Sequence, residues 1–174
     1  MKVIDAGARR LSSTASRALN VVIATGASPA MLPIRLAIGL IFFAHGAQKL
    51  FGAFGGPGLA GTGAGFEQLG FSPGGLWAFL VGFTELTGGI LLMLGLLARA
   101  AAVALSIVMV VAVATVHWQN GFFMDPAGPN HGIEYNLALV GGLLAMVVYG
   151  AGWLSVDREL TRSSSRRRPP PSAP

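Results

Sequence analysis

Seven side chains could do chemistry in otherwise apolar surroundings: His45, Gln48, Lys49, Glu85, His117, Glu134 and Tyr135. His45, Gln48 and Lys49 stand at i, i+3 and i+4, so on a helix they share one face. They follow the apolar stretch 36–44, and Glu85 lies inside the apolar run 75–97. Imidazole, ammonium and carboxylate groups gathered away from water can pass protons or hold a small polar ligand. A charge at the centre of a membrane helix costs about 2.5–3.5 kcal/mol on insertion scales, so it turns inward and takes a partner. Two acids, Glu85 and Glu134, against Lys49, His45 and His117 suggest mutual neutralisation. Glu85 with Lys49 or His45 is the expected pair. Lys49, His117 and Glu134 stand near the ends of apolar runs, where each alone could simply meet water or headgroups. Glu85, about ten residues or roughly 15 Å into its run, has no such bland partner.

Metal chemistry is a weaker reading. Two histidines and two glutamates are suitable ligand types. A buried di-iron bundle, however, wants a Glu-x-x-His pair within a helix, and none of the apolar runs carries one. His131 and Glu134 have ligand-like spacing but fall in a loop, and a haem held between His45 and His117 has no other support. No metal is expected, and none of the seven residues is assigned a catalytic role.

Such a cluster needs helices to hold it, and four runs supply them. Residues 32–51, 75–97, 100–117 and 134–154 each approach the ~20 apolar residues that cross a bilayer. Of the 174 residues, 53% are hydrophobic and 11% charged, against about a quarter charged in an ordinary soluble domain. The expected fold is therefore all-α: an integral membrane four-helix bundle, multi-pass. Loops 52–74 and 118–133 contain no Lys or Arg, whereas Arg99 lies between spans two and three and the two termini are basic. The positive-inside rule then places both termini in the cytoplasm. Arg35, near the cytoplasmic end of span one, is expected to snorkel to lipid phosphates. Trp77, Trp118, Trp153 and Tyr149 stand near span ends, where amphipathic rings prefer to sit.

Residues 1–31 form a cytoplasmic basic arm; 19–27 is too short and too polar at its middle for a signal-peptide core. The glycine-rich stretch 52–65 cannot hold a regular element unaided, and 66–71 suits a short helical turn on the outer surface. Residues 155–174 are an expected disordered Arg/Pro-rich cytoplasmic tail. Gly88 and Gly89 invite another helix to press close, and Ala138, Gly141 and Ala145 make a second small-residue stripe for packing or for a homodimer. The net charge of +5 comes from the termini, which suits anionic lipid and topology rather than nucleic acid. With no cysteine, the chain has no disulfide, thiol redox or iron–sulfur chemistry of its own.

Four segments together resemble the DoxX family. They are Arg35-Leu-Ala-Ile-Gly-Leu-Ile-Phe-Phe-Ala-His45-Gly46-Ala-Gln-Lys49-Leu50-Phe51-Gly52; Glu85-Leu-Thr-Gly88-Gly89 with Leu94-Gly95-Leu96 and Arg99; His117 before Gly121-Phe122-Phe123; and Gly132-Ile-Glu134-Tyr135-Asn136-Leu137. The match covers residues 32–154 and leaves out the arm and the tail. The resemblance implies a four-helix bundle in the bacterial cytoplasmic (plasma) membrane and an association with redox metabolism. One related branch, DoxD, is a subunit of thiosulfate:quinone oxidoreductase. Other members are linked to oxidative-stress assemblies with superoxide dismutase and a sulfurtransferase. No family catalytic residue carries over.

Three functions compete at this stage. The first is a membrane subunit of a redox or oxidative-stress system, with an outer-half polar pocket for a quinone-like or other small molecule and a soluble redox partner protein. The second is a non-catalytic scaffold anchoring a soluble enzyme. The third is a small proton-coupled carrier.

Overall fold

The computed structural model describes residues 20–124 and 131–166. These are helical, with no strand among them. The helices are α1 (Met31–Phe51), α2 (Gly58–Gln68), α3 (Gly74–Leu94), α4 (Ala98–Ala112), α5 (Glu134–Tyr149) and α6 (Val156–Arg166). Beyond Ala112, α4 continues through a wide i→i+5 turn, Val113–His117, and a 3-10 turn, Trp118–Asn120.

Among the described residues, three helices are long and apolar enough to cross a membrane: Met31–Phe51, Gly74–Leu94 and the continuous Ala98–Asn120. The fourth expected span is a shorter apolar helix, Glu134–Tyr149, of 16 residues. It stops early because the chain turns at Gly150 (φ 76°) and folds back on residues 25 and 28. The antiparallel helices give the bundle two ends. One, here the terminal end, gathers the start of α1, the α3–α4 turn, the end of α5 and α6. The other, the loop end, gathers α2 and the 121–133 connection.

The tightest contact is between α1 and α3, and glycine makes it possible. A Cβ on Gly39 would stand 2.8 Å from the carbonyl oxygen of Gly89, and one on Gly46 would stand 2.7 Å from that of Gly82. Seven residues separate the glycines on each helix, so both backbones stay in close approach over two turns. Gly88 turns the other way, towards Leu105 of α4. Phe42, Leu92, Leu105, Leu143 and Met146 fill the centre, while an apolar exterior including Leu40, Phe83, Ile107 and Val110 remains exposed, as a bilayer-facing surface requires.

Four expectations need correction. The glycine-rich stretch is helical from Gly58, because α2 docks on its neighbours: Gly63 lies against Gly74 and Gly75, and Thr62 Oγ1 donates to the Lys49 carbonyl at 3.4 Å. The tail expected to be disordered from residue 155 instead starts with α6, which Asp157 fastens to the bundle. The stripe of Ala138, Gly141 and Ala145 is not a seam within the chain: Ala138 and Gly141 are exposed, and Gly142 is the residue that meets Ile38 of α1. Arg35 does not snorkel; it is only 2% exposed and turns into the bundle. Expectations for residues 1–19 and 167–174 lie outside the described residues.

Candidate functional site

Glu85 lies on the α3 face between Gly82 and Gly89, where the backbone of α1 is pressed close. It is 2% exposed. Of its two expected partners the structure pairs it with Lys49, whose Nζ lies 2.5 Å from Oε2. The Lys49 side chain keeps 25% of its surface accessible. The pair is thus anchored inside and reachable from the cationic side. A carboxylate and an ammonium in this arrangement offer a proton donor, a proton acceptor and a compensated charge at one place.

None of the other candidate residues bonds to this pair. His45 is exposed on α1 and makes no hydrogen bond among the described residues. Gln48 is half-buried, its stem against Gly56. His117 donates from Nδ1 to the His131 carbonyl at 2.8 Å, and Glu134 Oε1 accepts from the Met124 amide at 2.7 Å. The amides of Ile133 and Glu134 donate to the carbonyls of Gly121 and Phe122. His117 and Glu134 therefore fasten the α4–α5 connection. Tyr135 is exposed beside them. No hydrogen bond or ion pair among the described residues joins this group to Lys49 and Glu85. Nor does any group of three or more His, Asp or Glu stand close enough to hold a metal ion among those residues.

Most remaining charged groups in the bundle close helix ends. The Arg35 guanidinium donates to the carbonyls of Leu92 (3.2 Å) and Met93, the last turn of α3, and to that of Leu154 (2.5 Å). Arg99 donates to Val148 in the last turn of α5 (3.0 Å) and to Val21 (3.2 Å). The Nε atoms of both arginines are buried with no hydrogen-bond partner among the described residues. Asp157, 1% exposed, accepts from the amides of Leu97 (2.8 Å) and Ala98 (3.0 Å) at the start of α4. Glu67 accepts from the first amide of α3, Gly74, at 2.5 Å. Helix termini leave amides and carbonyls without intrahelical partners, and the dipole favours acids at the start and bases at the end. Burial pushes the Asp157 carboxyl above its ordinary range, more strongly than the two amide donors and the nearby Arg35 and Arg99 pull it down.

Sequence reasoning missed Arg35, Asp157 and Asn136 as structurally engaged or buried polar groups. The first two were legible as residue types that suit helix ends, but their helix ends belong to distant segments. Asn136 is 4% exposed although only two residues into α5, and its spacing with Leu139, Leu143 and Met146 was the available signal that it faces inward.

The DoxX family model matches residues 30–118. An uncharacterised membrane protein of Mycobacterium tuberculosis is 35% identical over 143 residues, which cover 79% of this chain and 85% of that protein. No solved structure matches. The matched region includes α1, α2, α3 and α4 through the wide turn, and with it both Lys49 and Glu85, so the chain belongs to the DoxX family of membrane proteins.

Proposed function

We propose that this chain is a membrane subunit of a redox or oxidative-stress system, in which Lys49 and Glu85 handle protons for a quinone-like small molecule. Its four apolar helices cross the bacterial plasma membrane, both termini are cytoplasmic, and a soluble partner supplies the electrons. The observation that carries this reading is the Lys49–Glu85 pair itself. Arg35, Arg99, Asp157, Glu67 and Glu134 all bond to backbone groups. Among the described residues, the side chains of Lys49 and Glu85 bond only to each other. An ionised pair inside an apolar bundle carries a desolvation cost of several kcal/mol per ion, and intramembrane acids and bases recur in proton relays. Each quinone carbonyl that becomes a hydroxyl takes one proton with one electron. Lys49, the accessible member, is placed to donate its ammonium proton and to regain one from water, while the Glu85 carboxylate holds the ammonium charge in place.

The test is to purify the protein in native lipid and extract bound quinone. Wild type should carry it, and Glu85→Gln, which keeps a hydrogen-bonding group beside Lys49, should carry at least tenfold less at unchanged thermal stability. Equal quinone in both, or none in either, sinks the proposal and leaves a membrane scaffold as the simpler account.

A further inference from the structure

A groove runs along the outside of the bundle between α4 and α5, apart from Lys49 and Glu85 and below the closures made by His117 and Glu134. Its upper part, about 530 Å3, lies between Val110, Ala114 and Trp118 on one side and Asn136 and Val140 on the other. Its lower part, about 330 Å3, continues past Ile107 and Leu144 and shares Val110 with the upper. The α4 wall from Val103 to Trp118 is 16 residues long, roughly 22 Å at the helical rise. The stripe is continuous on α5 too, where the lining residues recur every three or four positions from Ile133 to Val147.

Two observations distinguish the upper part from an ordinary lipid-facing crease. Asn136 lines it and is 96% buried as a residue; its amide makes no hydrogen bond among the described residues and is not sealed from solvent, so the little surface it keeps opens to the groove. An amide that opens into an apolar groove is better matched by a hydrogen-bonding head than by an acyl chain, which cannot pair it. The wall opposite includes Val113 and Ala114 of the wide turn in α4, and single wide turns inside α-helices recur at functional sites. No lining residue is charged, and the other polar lining side chain outside the indole, Ser106, already donates to the Ala102 carbonyl.

We infer that the α4–α5 groove is a binding site for a long-chain amphiphile with a small, uncharged, hydrogen-bonding head, the head pairing with the Asn136 amide and the chain lying along Val110 and Ile107. An amide offers both donors and an acceptor, so a carbonyl, hydroxyl or amide head satisfies it. The volume falls in the usual range for small-molecule sites. This site is separate from Lys49 and Glu85 and does not rest on the function proposed for them.

Trp118, 69% exposed on the wall of the groove, is a built-in reporter. The full chain with Trp77→Phe and Trp153→Phe, in lipid nanodiscs, is titrated with 5-doxyl-stearamide and, separately, with 5-doxyl phosphatidylcholine. The amide probe should quench Trp118 saturably, while the phospholipid quenches it in simple proportion to its mole fraction. Asn136→Leu should raise the amide midpoint roughly five- to tenfold, the loss expected for one hydrogen bond. Val110→Phe, at a position already exposed, narrows the groove without touching the core and should weaken the saturable quench as well. Glu85→Gln should leave the midpoint unchanged. Proportional quenching by both probes would reduce the groove to ordinary lipid contact. Trp118 shielded from both, with the protein dimeric, would give the groove to a second copy. An unchanged midpoint in both groove variants, or a shift with Glu85→Gln, would also overturn the site.

Discussion

The two ends of the bundle use their polar side chains differently. At the terminal end, buried charge is committed to the backbone: Arg35 closes the end of α3, Arg99 the end of α5, and Asp157 the start of α4. Neutral groups follow suit, with Thr25 Oγ1 accepting from Gly152 and Ser155 Oγ donating to its carbonyl. The loop half has such closures too, in Glu67, His117 and Glu134. It also keeps polar groups that close nothing: Lys49 with Glu85, and Asn136. The first kind of polarity is what a short-looped helical bundle needs wherever helix ends are buried. The second kind has no architectural duty, and that is where chemistry and binding are to be sought.

The comparison breaks most visibly if the terminal end can lose a side chain cheaply. Arg35→Ala strands the carbonyls of Leu92, Met93 and Leu154 and removes one of the two cationic charges, Arg35 and Arg99, that act on Asp157. The expected loss of stability is about 3–5 kcal/mol, the range for breaking a buried charged network. Arg35→Lys should recover only a minor part, because one ammonium cannot span carbonyls on two segments as the guanidinium fork does. Denaturant unfolding in mixed micelles reads both.

At Lys49 and Glu85 the expectation reverses. Lys49→Met alone leaves a buried carboxyl without its partner and should cost about 1–3 kcal/mol. Adding Glu85→Leu should return stability to the wild-type value or above it, since replacing a buried ion pair by apolar residues is often neutral or stabilising. The same unfolding assay decides. A double variant as unstable as Arg35→Ala would show that this pair, too, is a fastening.

The division explains what could be read from the sequence. Apolar run length marked the helices to within a few residues, and the depth of Glu85 marked it as needing Lys49 or His45. That reading worked because both residues follow from one-dimensional position: distance into a helix and i, i+3, i+4 spacing. Arg35 did not follow, because its direction is decided by carbonyls 57 and 119 residues away. A guanidinium at a helix start has two satisfactory partners, phosphate or backbone, and only tertiary structure chooses. The same holds for α6, whose Asp-Arg-Glu composition looks like a solvated tail until Asp157 meets the amides of Leu97 and Ala98. It holds for α2, whose glycines disfavour a helix that docking on α1 and α3 restores. Asn136 was masked by Glu134 and Tyr135 beside it, since polar residues at a helix start ordinarily meet water.

The finest test concerns pH at the terminal end. Burial raises the Asp157 carboxyl above its ordinary range, so the folded chain holds that proton more tightly than the unfolded chain does. Between the ordinary value and the raised one the native state therefore binds more protons, and by linkage stability falls as pH rises through that window. The stabilisation is complete below the ordinary aspartate value and is lost above the raised one. Acidification from neutral should thus firm this end rather than melt it, with a slope of at most about 1.4 kcal/mol per pH unit for one proton. The measured quantity is the difference in melting temperature between wild type and Asp157→Asn across the same pH series, in which the contributions of all other groups cancel. Asparagine keeps an oxygen for the Leu97 and Ala98 amides and cannot ionise. The wild type should gain on the variant as pH falls. A wild type that loses ground instead would mean that Arg35, Arg99 and the two amides outweigh burial, and that the terminal end is held by a full carboxylate charge rather than by hydrogen bonds to it.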